Sequence, residues 1–143
     1  MATGRGGKAD ARAPAGSLVG LQGQRRVKRF LQVENAFLAL VVMVLYGASG
    51  GAWWLFALLI LAPDLSMLGY LAGPRIGAWC YNTVHSWIAP VVLYLVGLWL
   101  ELPLVQQLAL ILAAHIGIDR ALGYGLKHES GFRDTHMGRI GSD

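Results

Sequence analysis

Charge is scarce in this sequence. Only 14% of its 143 residues are Asp, Glu, Lys or Arg, where a soluble domain carries about a quarter, and 55% are hydrophobic, so the chain is suited to lipid rather than to water. Cysteine is nearly absent: Cys80 stands alone, which excludes an internal disulfide and any Cys-rich zinc framework. No basic face interleaved with aromatics is present, and this argues against nucleic acid as a partner. Acidic residues are almost missing from residues 1–24, where Asp10 is the only one among Gly, Ala and Arg. That stretch cannot bury a core and reads as a disordered tail. An Arg-rich organellar transit peptide is the alternative, but no small-residue cleavage site follows a short apolar core, and the first apolar run is long enough to remain as an anchor.

What the sequence does contain is four apolar runs, at residues 30–47, 52–71, 76–100 and 104–126. Each has the roughly 17–25 residues that a helix needs to cross about 30 Å of hydrocarbon. Gly50-Gly51 and Gly73-Pro74-Arg75 supply turns between them. The expected fold is all-α: a tail over 1–24, a four-helix transmembrane bundle over 25–126 and a short segment over 127–143. Lys and Arg set its orientation. Arg25, Arg26, Lys28 and Arg29, then Arg75, then Lys127, Arg133 and Arg139 flank alternate ends of the runs, while Ser49 to Ala52 is uncharged and Glu101 is acidic. By the positive-inside rule both termini are cytoplasmic. Trp53, Trp54 and Trp99 then belong at the outer interface and Trp79 at the inner one.

The last run is anomalous. It carries His115, Asp119 and Arg120, although a charged group at the centre of a membrane helix costs roughly 2.5–3.5 kcal/mol on insertion scales. His115 and Asp119 stand i, i+4, so they share one helix face and can point together into a bundle. In the third run Tyr81 and Asn82 precede His85 by four and three residues, and Asp64 follows Pro63 in the second. Counting 1.5 Å per residue from the cytoplasmic ends puts Glu34 about 6 Å deep, Asp64 and Asp119 about 10 Å, His85 about 13 Å and His115 about 16 Å. These depths define one polar layer in the cytoplasmic half. The outer half lacks polar lining, which argues against a channel or a complete transport path.

Two imidazoles and two carboxylates suit a divalent ion such as zinc, so Asp64, His85, His115 and Asp119 are the candidate ligands. Tyr81, Asn82 and Arg120 would position or neutralise a substrate. Such a site would activate water against a lipid-borne ester, amide or phosphate. The alternative is a structural clasp in a non-enzymatic scaffold or a lipid- or small-molecule-binding protein: Arg120 neutralising Asp64 or Asp119, and His85 sharing a hydrogen bond with Asp119. No strong metal motif such as HExxH is present. Glu34 and Asn35 would cap and anchor the first helix. In the C-terminal segment Asp134 and His136 would close the mouth of the cavity if the chain folds back, or else Arg133 and Arg139 would anchor a flexible end to lipid headgroups. Leu68-Gly69-Tyr70 and Leu122-Gly123-Tyr124, each after an aspartate, form a weak echo that would fit a duplicated hairpin. Oligomeric state is not written in the sequence.

Residues 63–85, PDLSMLGYLAGPRIGAWCYNTVH, and 114–141, AHIGIDRALGYGLKHESGFRDTHMGRIG, resemble a small bacterial integral membrane family, domain of unknown function 4260. The matching stretches hold Asp64 and Ser66; Tyr81, Asn82 and His85; His115, Asp119 and Arg120; and Asp134, Thr135 and His136. Lys127 to Ser130 departs from the less charged, Pro-containing turn expected of that family. The resemblance covers about residues 29–141 and implies a multi-pass protein of the bacterial inner membrane, but no activity.

Overall fold

A computed structural model describes residues 15–139. Five α-helices carry the fold: α1 (Ala15–Ala48), α2 (Trp53–Leu59), α3 (Pro74–Val84), α4 (Ile88–Trp99) and α5 (Pro103–Leu122), with a 3-10 segment, Ala62–Ala72, between α2 and α3. A two-stranded antiparallel hairpin, β1 (Asp134–Thr135) and β2 (Gly138–Arg139), follows. The all-α expectation therefore holds, but the runs are not four plain helices.

Each departure has a local cause. The first helix already includes Ala15, well before residue 30, so residues 15–24, expected as tail, are helical, and residues 1–14 lie outside the described residues. Glu34 and Asn35 consequently sit mid-helix and cap nothing; Asn35 Nδ2 donates back to the Leu31 carbonyl at 2.8 Å. The second run breaks before Pro63, whose ring removes a donor, and continues as a 3-10 segment. The third breaks at His85 to Trp87. Pro90 has no N–H for the Ser86 carbonyl, which instead accepts from Ala89 at 3.1 Å as α4 starts afresh. The fourth ends at Gly123 in the left-handed conformation, φ 94°, where Tyr124 N donates to the Asp119 carbonyl at 2.8 Å, so residues 124–126 turn away from the helix. Gly69, by contrast, lies inside the 3-10 segment, so the two Leu-Gly-Tyr triplets differ in local structure.

The core is built around α5, whose Ala109, Ile111, Ala114, Ile116 and Gly117 are buried between α1 and α4. Small residues make this possible. A Cβ on Gly117 would stand 2.9 Å from Ala39 Cβ and 3.2 Å from the Ala39 backbone, so α1 and α5 touch main chain to main chain. At the far end of α1 the buried Tyr46 ring packs against Trp53 and Phe56, and its hydroxyl donates to the Ala52 carbonyl at 2.9 Å.

The outer surface is apolar. No residue of α2 or the 3-10 segment is buried, and Phe30, Val33, Phe37, Val44, Trp54, Leu65 and Trp99 are all exposed. Among the described residues two stretches are long and apolar enough to cross a membrane, Gln22–Ala48 and Trp53–Ala72, while Ile88–Trp99 is apolar but short. The third and fourth expected spans do not meet that standard, the third because it is broken at His85.

Replacing Gly117 by Ala should lower the unfolding temperature in detergent, at a cost of about 1–3 kcal/mol for overpacking. Gly23→Ala, whose added Cβ meets nothing within 4 Å, should leave the temperature unchanged or raise it.

Candidate metal centre

Three elements deliver the cluster. Asp64 stands in the first turn of the 3-10 segment, His85 caps the C-terminus of α3, and His115 and Asp119 lie one turn apart on α5. The helix breaks are what aim them: Pro63 redirects the chain at Asp64, and the break before α4 leaves His85 at a helix end. His85 Nε2 is 3.0 Å from His115 Nε2, 3.4 Å from Asp64 Oδ1 and 3.7 Å from Asp119 Oδ2. His115 Nε2 is 3.5 Å from Asp64 Oδ1 and 3.6 Å from Asp119 Oδ2. One ligand atom from each of the four residues thus lies within 4.8 Å of every other, a set that could hold a metal ion.

Neighbouring groups fix these atoms. His85 Nδ1 is 3.0 Å from the Tyr81 carbonyl, which can only accept, so Nδ1 carries the proton and the neutral ring presents a lone pair on Nε2 to the cluster. Metal-ligating histidines are oriented in this way. The Tyr81 ring stacks on His85 at 3.7 Å, and its hydroxyl donates to Asp119 Oδ2 at 3.1 Å. Arg120 makes no ion pair with Asp64 or Asp119 among the described residues. Its Nη2 donates instead to the His85 carbonyl at 3.2 Å, a cation at the C-terminus of α3. Nor does His85 hydrogen-bond Asp119; the 3.7 Å separation is too long. Access is one-sided: the histidine side chains are 3% and 4% exposed, Asp64 and Asp119 32% and 18%.

The remaining sequence candidates have other partners. Asn82 faces the returning chain and clamps it, donating to the Lys127 carbonyl at 2.8 Å and accepting from Lys127 N at 2.7 Å. Asp134 takes the Ser130 hydroxyl at 3.0 Å and is not in the cluster. Thr135 closes the hairpin turn by donating to the Gly138 carbonyl at 2.6 Å. Ser66 Oγ is buried with no partner among the described residues. The C-terminal segment does fold back: Lys127 bridges to Thr135, Glu129 meets Arg75 at 3.1 Å, and His136 Nε2 reaches within 3.3 Å of Arg120 Nη1. The Arg139 side chain lies outside the described residues.

A cavity of about 640 Å³ opens between the start of α1 and the hairpin, lined by Gly23, Val27, Lys28, Leu31, His136 and Met137 among others. It does not include the four cluster residues. The link between the two is His136, which lines the cavity and touches Arg120.

The sequence-based reading missed one group, Lys127, taken there as a juxtamembrane anchor. It is 5% exposed, with Nζ 4.1 Å from the centre of the Phe132 ring and 5.1 Å from that of Tyr81. Nothing in the sequence distinguishes a lysine that reaches back from one that faces headgroups.

The family model described as Domain of unknown function (DUF4260) matches residues 28–140. The chain belongs to the DUF4260 family. No curated protein and no solved structure matches it. Membership in DUF4260 agrees with the resemblance seen in residues 63–85 and 114–141, and it carries no assigned activity.

Two predictions follow from the C-terminal clamp. Asn82→Ala removes both bonds to the Lys127 backbone and should cost about 1–3 kcal/mol, read as faster amide exchange at Lys127 and new protease cleavage beyond residue 126. His136 should also make docking pH-dependent. Burial first, and then the Arg120 guanidinium beside it, hold its pKa below the ordinary histidine value, and Leu126 N donates to its Nδ1 at 2.8 Å. The folded state therefore disfavours protonation. Its contribution is complete above the unfolded pKa of about 6.5 and is lost as pH falls through the lower folded value, so Leu126 amide protection should decline on acidification.

Proposed function

We propose that this protein is a multi-pass membrane protein, with both termini cytoplasmic, that binds a divalent metal ion such as zinc through Asp64, His85, His115 and Asp119 and hydrolyses a membrane-associated substrate. The observation that carries the metal assignment is the spacing of the four ligand atoms. A tetrahedral ion bound at about 2.0–2.1 Å has ligands about 3.3–3.4 Å apart. The imidazole–imidazole and imidazole–carboxylate separations run from 3.0 to 3.7 Å around that value.

The electrostatics support a cation at this point. The His85 lone pair and two carboxylates converge in a protein interior, where like charges repel far more strongly than in water. The oriented His85 tautomer and the Tyr81–Asp119 hydrogen bond are the outer contacts a metal site uses. A bound divalent ion supplies Lewis acidity and water activation. The chain contributes direction: the histidines seal one side, while the more exposed carboxylates leave the other open to a substrate.

Support for the membrane comes from the exposed apolar surface of α1, α2 and the 3-10 segment, which water would not tolerate at this extent. Orientation rests on the basic residues. The Arg75–Glu129 pair puts the turn before α3 at the same end as the C-terminal segment, as the alternation of basic flanks requires. The family resemblance favours the bacterial inner membrane.

Protein purified without chelator should carry one zinc-class ion per chain by elemental analysis. Asp64→Asn and His115→Ala should each lose it. Free metal at 100 times Kd should stabilise wild type by about 2.7 kcal/mol and leave His115→Ala unmoved. A metal-independent clasp would instead give no stoichiometric ion and the same unfolding temperature with and without chelator.

A further inference from the structure

Lys127 is a lysine only 5% exposed for which the metal reading has no use. Its Nζ lies against the Phe132 and Tyr81 rings, and no ion pair or hydrogen bond of that atom is found among the described residues. Aromatic faces compensate a buried cation only in part. The acidic groups of its own segment are engaged elsewhere: Glu129 with Arg75 at the surface, and Asp134 with the Ser130 hydroxyl. Lys127 is nonetheless held firmly, because Asn82 clamps its backbone on both sides and Thr135 bridges to it. The Tyr81 ring beneath its Nζ is the one whose hydroxyl bonds Asp119, so the ammonium stands one aromatic ring away from the cluster. Its charge feels both Asp119 and Asp64, which oppose the effect of burial.

A count of charge shows what is missing. With a divalent ion in place, the Asp64 and Asp119 carboxylates neutralise it and the histidines are neutral ligands. Arg120 and Lys127 then remain as two positive charges without carboxylate partners among the described residues. Charges drawn partly out of water are costly without a counter-charge, so the loaded site favours a dianion beside them.

We propose that Lys127, together with Arg120, receives a dianionic phosphoryl group beside the metal cluster, which makes the substrate of the proposed hydrolase a phosphate monoester. This rests on the metal reading above. In the reaction the water oxygen bonds to phosphorus and the ester P–O bond breaks. One water proton goes to the leaving oxygen, releasing an alcohol, and the other stays on the inorganic phosphate. Lys127 and Arg120 hold the phosphoryl oxygens throughout. The phosphoryl group is carried either by a lipid headgroup or by a soluble ester.

The test uses the full chain in detergent, purified with its metal, and inorganic phosphate as the probe in titration calorimetry. Lys127→Met should weaken phosphate binding at least tenfold, retain one metal ion per chain, and unfold at the same or a higher temperature, since the aliphatic stem is kept and a cation drawn partly out of water has been removed. Lys127→Arg should restore part of the affinity. If Lys127→Met does not fold, Lys127→Gln gives the same reading. A lower unfolding temperature with wild-type phosphate affinity would make Lys127 a structural clamp and overturn the proposal, while the metal count would leave the metal reading intact. Wild type without metal would overturn both. Displacement of phosphate by phosphatidic acid in mixed micelles, but not by glycerol phosphate, assigns the lipid source; displacement by both assigns the soluble ester.

Discussion

Two imidazoles and two carboxylates are brought within 4.8 Å of one another by a structure that is otherwise almost wholly apolar. This convergence is the constraint on which the other irregularities depend. Here the helices are broken where the cluster needs them. Pro63 turns the second run into a 3-10 segment at Asp64, and Pro90 forces α4 to start anew beyond His85. Each break interrupts an α-helix, and each gives the site a ligand.

The supporting contacts run outward from the same atoms. Tyr81 serves both sides of the cluster, through its carbonyl to His85 and its hydroxyl to Asp119. Arg120 satisfies the last carbonyl of α3 and reaches towards His136. Gly123 ends α5 so that the chain can return to Asn82, and this return brings Lys127 over the Tyr81 ring. The C-terminal segment is therefore part of the site's wall. The close approach of α1 to α5 at Ala39 and Gly117 lies on the stretch of α5 that buries His115.

Much of this was legible in the sequence, for physical reasons that can be named. Charged and imidazole groups are so costly in an apolar helix that their spacing alone paired His115 with Asp119. Depth counting then put Asp64 and His85 at a similar level. What was not legible depends on where the chain turns. The helical residues 15–24 lie in a Gly-rich, acid-poor stretch whose composition reads as tail. Asn82 is adjacent in sequence to Tyr81, yet it points to the returning backbone, and that partner exists only because Gly123 stops α5. Asp134 and His136 were expected to act together. The hairpin separates them because Asp134 lies in β1 and His136 in the turn that follows; His136 faces Arg120 and Asp134 faces Ser130. Arg120 next to Asp119 suggested an ion pair, but consecutive helix residues project about 100° apart, and Arg120 instead finds the His85 carbonyl.

The central claim is that two imidazoles and two carboxylates share one metal ion. X-ray absorption spectroscopy at the metal edge of the purified, metal-loaded protein tests it most directly. The account predicts a first shell of nitrogen and oxygen at about 2.0–2.1 Å with the outer-shell scattering of two imidazoles and no sulfur. A sulfur shell, or a first shell without imidazole, would contradict it.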